Sequence, residues 1–219
     1  MTTSAASASF PAPAPAPASG PARTGPVWRA SLGLAVVTLL GFGLAYSLAA
    51  TGLGRVLFPH QATGSLVERG GRIVGSALVA QPFADARYFH PRPSAASYDT
   101  MALAGSNQAR THPELRSRVE AARAAVAERE GVAAEEVPGD LVTQSGGGID
   151  PHISPDAARI QIARVARARG LEARDVERLV REHSESPQYG LYGQPRVNVL
   201  RLNLALDALQ ARASSTMAR

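Results

Sequence analysis

The residue types best suited to chemistry are gathered between Gln144 and His152, in the order Gln144-Ser145-Gly146-Gly147-Gly148-Ile149-Asp150-Pro151-His152. Consecutive backbone N–H groups at Gly146, Gly147 and Gly148, leading towards a helix start at Ser154, could cradle an anion such as a phosphate. The chain has no G-x-x-x-x-G-K-[ST] motif, and no lysine with which to reach a phosphate. Three glycines ahead of Ile149-Asp150-Pro151 more often mean a tight turn that brings backbone close to backbone, so the turn is the first reading and the phosphate cradle the second. Ser145, Asp150 and His152 are the types of a nucleophilic triad, but they are too close in sequence to converge from different parts of a fold, and no G-x-S-x-G surrounds the serine. The histidines, His60, His90, His112, His152 and His183, are never four apart and there is no cysteine, so no metal centre is expected. This inventory suits a binding or assembly domain, with no catalytic residue.

Several elements must position these residues. Gly64 to Ser76 reads as a β-hairpin turning at Gly70-Gly71. Gln81 to His112 is a long irregular stretch containing Tyr88-Phe89-His90-Pro91-Arg92-Pro93-Ser94, and a loop of that length is either functional or mobile. Pro113 opens a helix with Leu115, Val119, Ala122 and Val126 in one stripe and Gly131 as its stop. A short strand is expected at Asp140 to Thr143. Ser154 caps a helix with Pro155 and Asp156 in its first turn, Ile162, Val165 and Ala166 on one face, and Gly170 beyond its end. Val176, Leu179 and Val180 mark a further helix, and Asn198 caps a last one with Leu202, Leu206 and Leu209 inward. A hairpin together with separate helices predicts an α+β domain.

Ahead of all this, Ala30 to Gly54 carries no charged side chain. At 1.5 Å per residue those positions make roughly 37 Å of helix, enough for a hydrocarbon core of about 30 Å. The expected organisation is an Ala/Pro-rich disordered tail at 1–27, a transmembrane helix at 28–54, one soluble α+β domain at 55–211 and a flexible tail at 212–219. A cleaved signal peptide is the competing reading, but its apolar stretch is typically about 7–15 residues. Within the span, Gly41, Ala45 and Ala49 are spaced four apart, a small-residue ridge on which a neighbouring helix can pack. All 23 basic residues are arginine, against 18 acids; they alternate with the acids along the helices, and no basic stripe with interleaved aromatics suggests a nucleic-acid partner. Counting arginines on either flank leans only mildly to an N-terminus inside.

The stretches Gly75-Ser76-Ala77-Leu78-Val79-Ala80-Gln81-Pro82-Phe83, Tyr88 to Ala95, Gly105-Ser106-Asn107, Val137 to Thr143, Gly148 to Pro155 and Val197 to Asp207 occur in an order and spacing that resembles the C subunit of the Kdp potassium-transporting P-type ATPase. The resemblance implies a single-pass subunit of a bacterial inner membrane, with a cytoplasmic N-terminus and an extracytoplasmic domain. Its partners would be a channel-like potassium-binding subunit, an ATP-hydrolysing P-type subunit and a small membrane peptide. It implies a catalytic chaperone that raises the pump subunit's ATP affinity, with no firmly bound cofactor; Gln144, Ser145, Gly146, Gly147 and Gly148 are the part likened to the signature of ABC ATPases. A domain outside the cell meets no cytoplasmic ATP, which sets topology against a direct nucleotide contact. Arg201 stands where that family often has glutamate, which removes the reciprocal half of a capping box with Asn198. The alternative is an anchored binding protein for a small anion at Gly146–Gly148.

Overall fold

The uncharged run forms one unbroken helical rod, in which α1 (Thr24–Thr38) passes through a π-wound stretch, Leu39–Ala45, into α2 (Tyr46–Leu57). The computed structural model describes residues 24–217, so the tail expected at 1–27 lies outside the described residues up to residue 23. Val27–Leu57 is long and apolar enough to cross a membrane, and all of its residues except the half-buried Gly54 are exposed. Gly41 and Ala45 fall in the π-wound stretch and Ala49 in α2. All three are exposed, and a Cβ on Gly41 would meet nothing within 4 Å. The winding there departs from the α-helical spacing on which their ridge was read. The chain divides at Leu57/Phe58 into two units, against the expected 54/55.

The second unit begins with a single turn, α3 (Pro59–Ala62), and the hairpin β1 (Leu66–Arg69) and β2 (Arg72–Ser76). The strands are antiparallel with a bulge at Val67/Glu68. Gly70 and Gly71 have φ of 58° and 75°, the left-handed pair that a two-residue hairpin turn demands. After the irregular stretch comes α4 (Pro113–Glu130), which ends on Gly131 at φ 70°. The strand expected at Asp140 to Thr143 is instead a 3₁₀ turn, Gly139–Leu141, in which Leu141 N–H and Val142 N–H donate back to the carbonyls of Pro138 and Gly139. Pro138-Gly139 starts that turn, and Leu141 and Val142 are each 3% exposed. A short buried apolar run looks the same in either conformation.

The larger sheet is made of very short strands, β3 (His152–Ile153), β4 (Ser184–Glu185) and β5 (Arg196–Asn198), in the antiparallel order β3-β5-β4. Between them run α5 (Pro155–Arg169) and α6 (Ala173–Glu182), and α7 (Val199–Met217) follows β5 directly. Ser154 caps α5 as expected, its Oγ accepting from Ala157 N–H at 3.0 Å. Asn198 caps α7, its Oδ1 accepting from Arg201 N–H at 3.1 Å while its amide donates to Ala77 O. α7 runs on to Met217 through most of the segment expected as a tail at 212–219; residues 218 and 219 lie outside the described residues. The domain is α+β. Its core joins Ile162 and Val165 of α5, Val176 of α6, Val197 of β5, and Leu202 and Leu206 of α7 around Phe89, which comes from the irregular stretch.

Candidate functional site

The stretch from Asp85 to Ser94 lacks regular hydrogen bonding, so its peptide groups need other partners, and buried side chains of α5 and α7 supply them. Asn203, 2% exposed, grips Phe89 at both ends: Phe89 N–H donates to its Oδ1 at 2.8 Å, and its amide donates to Phe89 O at 3.0 Å. Gln161 does the same for His90, at 2.8 and 3.2 Å. Arg164 donates to the carbonyls of Ala86 and Tyr88, and to Glu130, whose side chain is fully buried. Arg169 donates to Arg87 O, Gln210 and Asp207, and lies 4.7 Å over the Tyr88 ring. Arg69 of the hairpin donates to the other oxygen of Asp207 at 2.7 Å. Burial alone would raise the Asp207 carboxyl, but the hydrogen bonds from Arg169 and Arg69 outweigh it and hold it below its ordinary value. Burial and the Arg164 charge together lower the His90 imidazole, against a carbonyl contact from Asp85.

The glycine stretch divides into two parts. Gly148 is buried with φ 73°, and a Cβ there would meet Ala104 O at 2.9 Å and Ala96 Cβ at 3.0 Å. Its carbonyl accepts from Ser94 Oγ at 2.5 Å, and Ser94 Oγ also accepts from Ala96 and Tyr98 N–H. Gly105 packs against the Gly146 carbonyl, 2.6 Å from where its own Cβ would be. Gly146 and Gly147 are exposed, with open space where side chains would go. Gln144 Oε1 is buried without a hydrogen-bond partner, and Ser145 is 8% exposed. The stretch does not run straight into a helix, since β3 intervenes. The cap residue of α5, Ser154, gives its own N–H and hydroxyl to Asp140 at 2.7 and 3.1 Å.

Beyond Gly148 the chain enters a cleft of about 410 Å³ lined by Arg92, Asp140, Asp150, His152, Gln194 and Arg196, among others. Asp150, one of its lining residues, meets Arg92 Nη1 at 2.9 Å on one oxygen and His152 Nδ1 at 3.3 Å on the other. Burial raises this carboxyl, but the bonds from His152 and Arg92 win and leave it below its ordinary value. Ser145 Oγ faces the Asp150 amide at 3.5 Å and bonds no imidazole. The arrangement holds ions in fixed pairs and buries main-chain turns, which is chemistry of positioning. Among the described residues no cluster of three or more His, Asp or Glu could hold a metal.

Sequence reasoning singled out Gln144 to Gly148 but missed Gln161, Asn203, Arg92, Glu130, Arg164, Arg169 and Asp207. The available signal was a polar residue on an apolar stripe: Gln161 adjoins Ile162, and Asn203 adjoins Leu202 on the buried face of α7.

Comparison with known proteins covers both units. The family described as K+-transporting ATPase, c chain (KdpC) matches residues 28–208. A potassium-transporting ATPase KdpC subunit of Xanthomonas oryzae pv. oryzae is 63% identical over 85% of this chain and 90% of its own length. Proteins of the same description from Shewanella putrefaciens and Methylococcus capsulatus are each 50% identical, over 84% and 83% of this chain and 91% and 96% of theirs. With a match that takes in the membrane-length helix, the pinned stretch, the glycine turn and the cleft alike, the chain belongs to the KdpC family, the c chain of the K+-transporting ATPase.

Proposed function

We propose that this chain is a non-catalytic subunit that holds the other subunits of a potassium-importing ATPase together. It crosses a bacterial inner membrane once, with its N-terminus in the cytoplasm and its domain outside. There it joins a channel-like potassium-binding subunit, an ATP-hydrolysing P-type subunit and a small membrane peptide. The observation that carries this reading is that the family match runs unbroken through span and domain. A chaperone effect on ATP affinity follows through linkage: a domain that binds one conformation of the pump more tightly shifts nucleotide affinity by the same coupling free energy, without touching ATP. A coupling of about 1.4 kcal/mol is a tenfold change.

The test is to co-express the tagged full chain with its complex, extract it in mild detergent, and measure K+-stimulated ATP hydrolysis against ATP concentration with and without this subunit. Loss of the other subunits during purification, with hydrolysis unchanged, refutes the reading. The open, exposed Gly146 and Gly147 favour a second reading, capture of a small anion. Thermal shifts of the full chain with ATP, phosphate or carboxylates test it, and no shift with any of them removes it.

A further inference from the structure

The β1–β2 hairpin is built to bend at one level. Its bulge at Val67/Glu68 lies across the ladder from Gly75, the partner of Val67, so both strands have their weak point at the same height. Below that level the base is knit shut: Ala77 N–H donates to Ser65 O at 2.9 Å, and Ser76 Oγ donates to Gly64 O at 2.7 Å. Just past the base, the buried Asn198 amide donates to Ala77 O at 2.8 Å and fixes the chain to the core. Above it, the tip borders a cavity of about 220 Å³, with Arg69 and Val74 of the hairpin against Phe83, Tyr88, Leu200 and Leu204, among others. Gln81 Nε2 donates to Val74 O at 2.8 Å, and Arg69, the last residue before the turn, donates to Asp207 at 2.7 Å. No residue of either strand is buried.

Asp207 is gripped unequally. Arg169, whose side chain is 3% exposed, takes one carboxylate oxygen, and Arg69, 48% exposed, takes the other. Water and salt screen the Arg69 contact and make it weak, whereas the Arg169 contact is shielded. Releasing Arg69 therefore strands no charge: the guanidinium passes into water, and the carboxylate keeps its buried partner. We propose that the hairpin is a flap that swings at the level of Val67 and Gly75, with Arg69–Asp207 as an ionic latch whose release uncovers the cavity beside Tyr88 and Leu204. Few buried contacts and an exposed ladder mark a segment that opens locally, at a fraction of the cost of global unfolding. In chain order the flap follows the rod after α3 alone, so the latch sets how firmly the first segment of the domain is held to its core. Ionic strength tunes that hold, because it weakens the Arg69 contact and leaves the Arg169 contact in place.

The chain has no cysteine, so one introduced thiol reports opening in the full chain in mild detergent. Leu204→Cys places it on the cavity lining, and Ala208→Cys, exposed one turn further along α7, is the control. The rate of reaction with a bulky maleimide at position 204 is expected to rise about threefold or more between roughly 20 and 500 mM sodium chloride, as the screening length falls from roughly 20 Å to roughly 4 Å. Adding Arg69→Gln is expected to give the fast rate already at low salt and to abolish the salt dependence, with position 208 unaffected by either change. A rate at position 204 that salt or Arg69→Gln leaves unraised overturns the inference, as does a rise shared by position 208, which reports general loosening. Salt dependence that persists undiminished in Arg69→Gln overturns it too, since the latch would then lie elsewhere. If circular dichroism shows that Arg69→Gln does not fold, the salt series with Arg69 in place decides alone.

Discussion

Asn203→Leu changes little in volume but removes the side chain bonded to both the N–H and the carbonyl of Phe89, a residue with no exposed surface. An unpaired buried main-chain group costs about 1–3 kcal/mol, so the two together cost roughly 2–6 kcal/mol. Slight rearrangement and the apolar gain of leucine bring the expected net to about 2–4 kcal/mol. For a domain of this size each kcal/mol lowers Tm by about 2–4 °C, so a fall of roughly 5–15 °C is expected. The assay is far-UV circular dichroism of the full chain in mild detergent, by heat and by urea. The urea midpoint falls with an unchanged slope if only stability is altered. Gln161→Leu unpairs His90 in the same way, and the double variant loses at least about 1 kcal/mol less than the sum of the singles, because both side chains hold one segment. A Tm within about 2 °C of the parent for Asn203→Leu refutes the reasoning, for it would mean that the Asp85 to Ser94 stretch is not held by these amides.

Other outcomes follow from the same geometry. Gly148→Ala forces a Cβ against Ala104 O at positive φ and is expected to cost about 2–4 kcal/mol, whereas Gly147→Ala changes stability by under about 1 kcal/mol; equal effects on urea midpoints contradict the division of the glycine stretch. His90 has its pKa lowered in the fold, so the unfolded chain takes up the proton first. Stability is complete above about pH 6.5 and is lost as pH falls from there towards the folded value, and His90→Gln is expected to flatten that part of a melting-against-pH curve. Asp207 has its pKa lowered as well, so its contribution is present above about pH 4 and disappears as pH falls through the folded value; Asp207→Asn removes that acid step and leaves the neutral slope unchanged. Ser94→Ala, which deprives Gly148 O, Ala96 N–H and Tyr98 N–H of their shared partner, is expected to lower the melting temperature by about 2–6 °C.

Elements with local signals were legible in the sequence. Proline at the first helical position, serine or asparagine at the cap and glycine past the end located α4, α5 and the start of α7, since each of those residues acts on its own neighbours. Gly70-Gly71 gave the hairpin for the same reason. The strand expected at Asp140 to Thr143 went wrong because burial, which shows in the apolar run, says nothing of backbone direction. The irregular stretch looked equally like a mobile loop. Its order comes from Gln161 and Asn203, residues distant in sequence whose partners are peptide groups, and peptide groups carry no side-chain signature. Glu130 and Arg164 likewise read as members of a solvated charge pattern, although the carboxylate is completely enclosed.

The π-wound stretch in the membrane-length rod has a rotational consequence. Each α-helical residue turns about 100°, and one wide turn takes up an additional residue, so everything from Tyr46 onward is swung by roughly that angle from where uninterrupted winding would aim it. Uninterrupted winding would set Gly33 and Ala49, 16 positions apart, on nearly opposite flanks at roughly 160°; the wide turn brings them to within roughly 60°, so one thin rod turns both small residues towards a shared side. Removing a single residue between Leu39 and Ala45 would restore even winding and leave that shared side in place, with no change of charge and almost none of length.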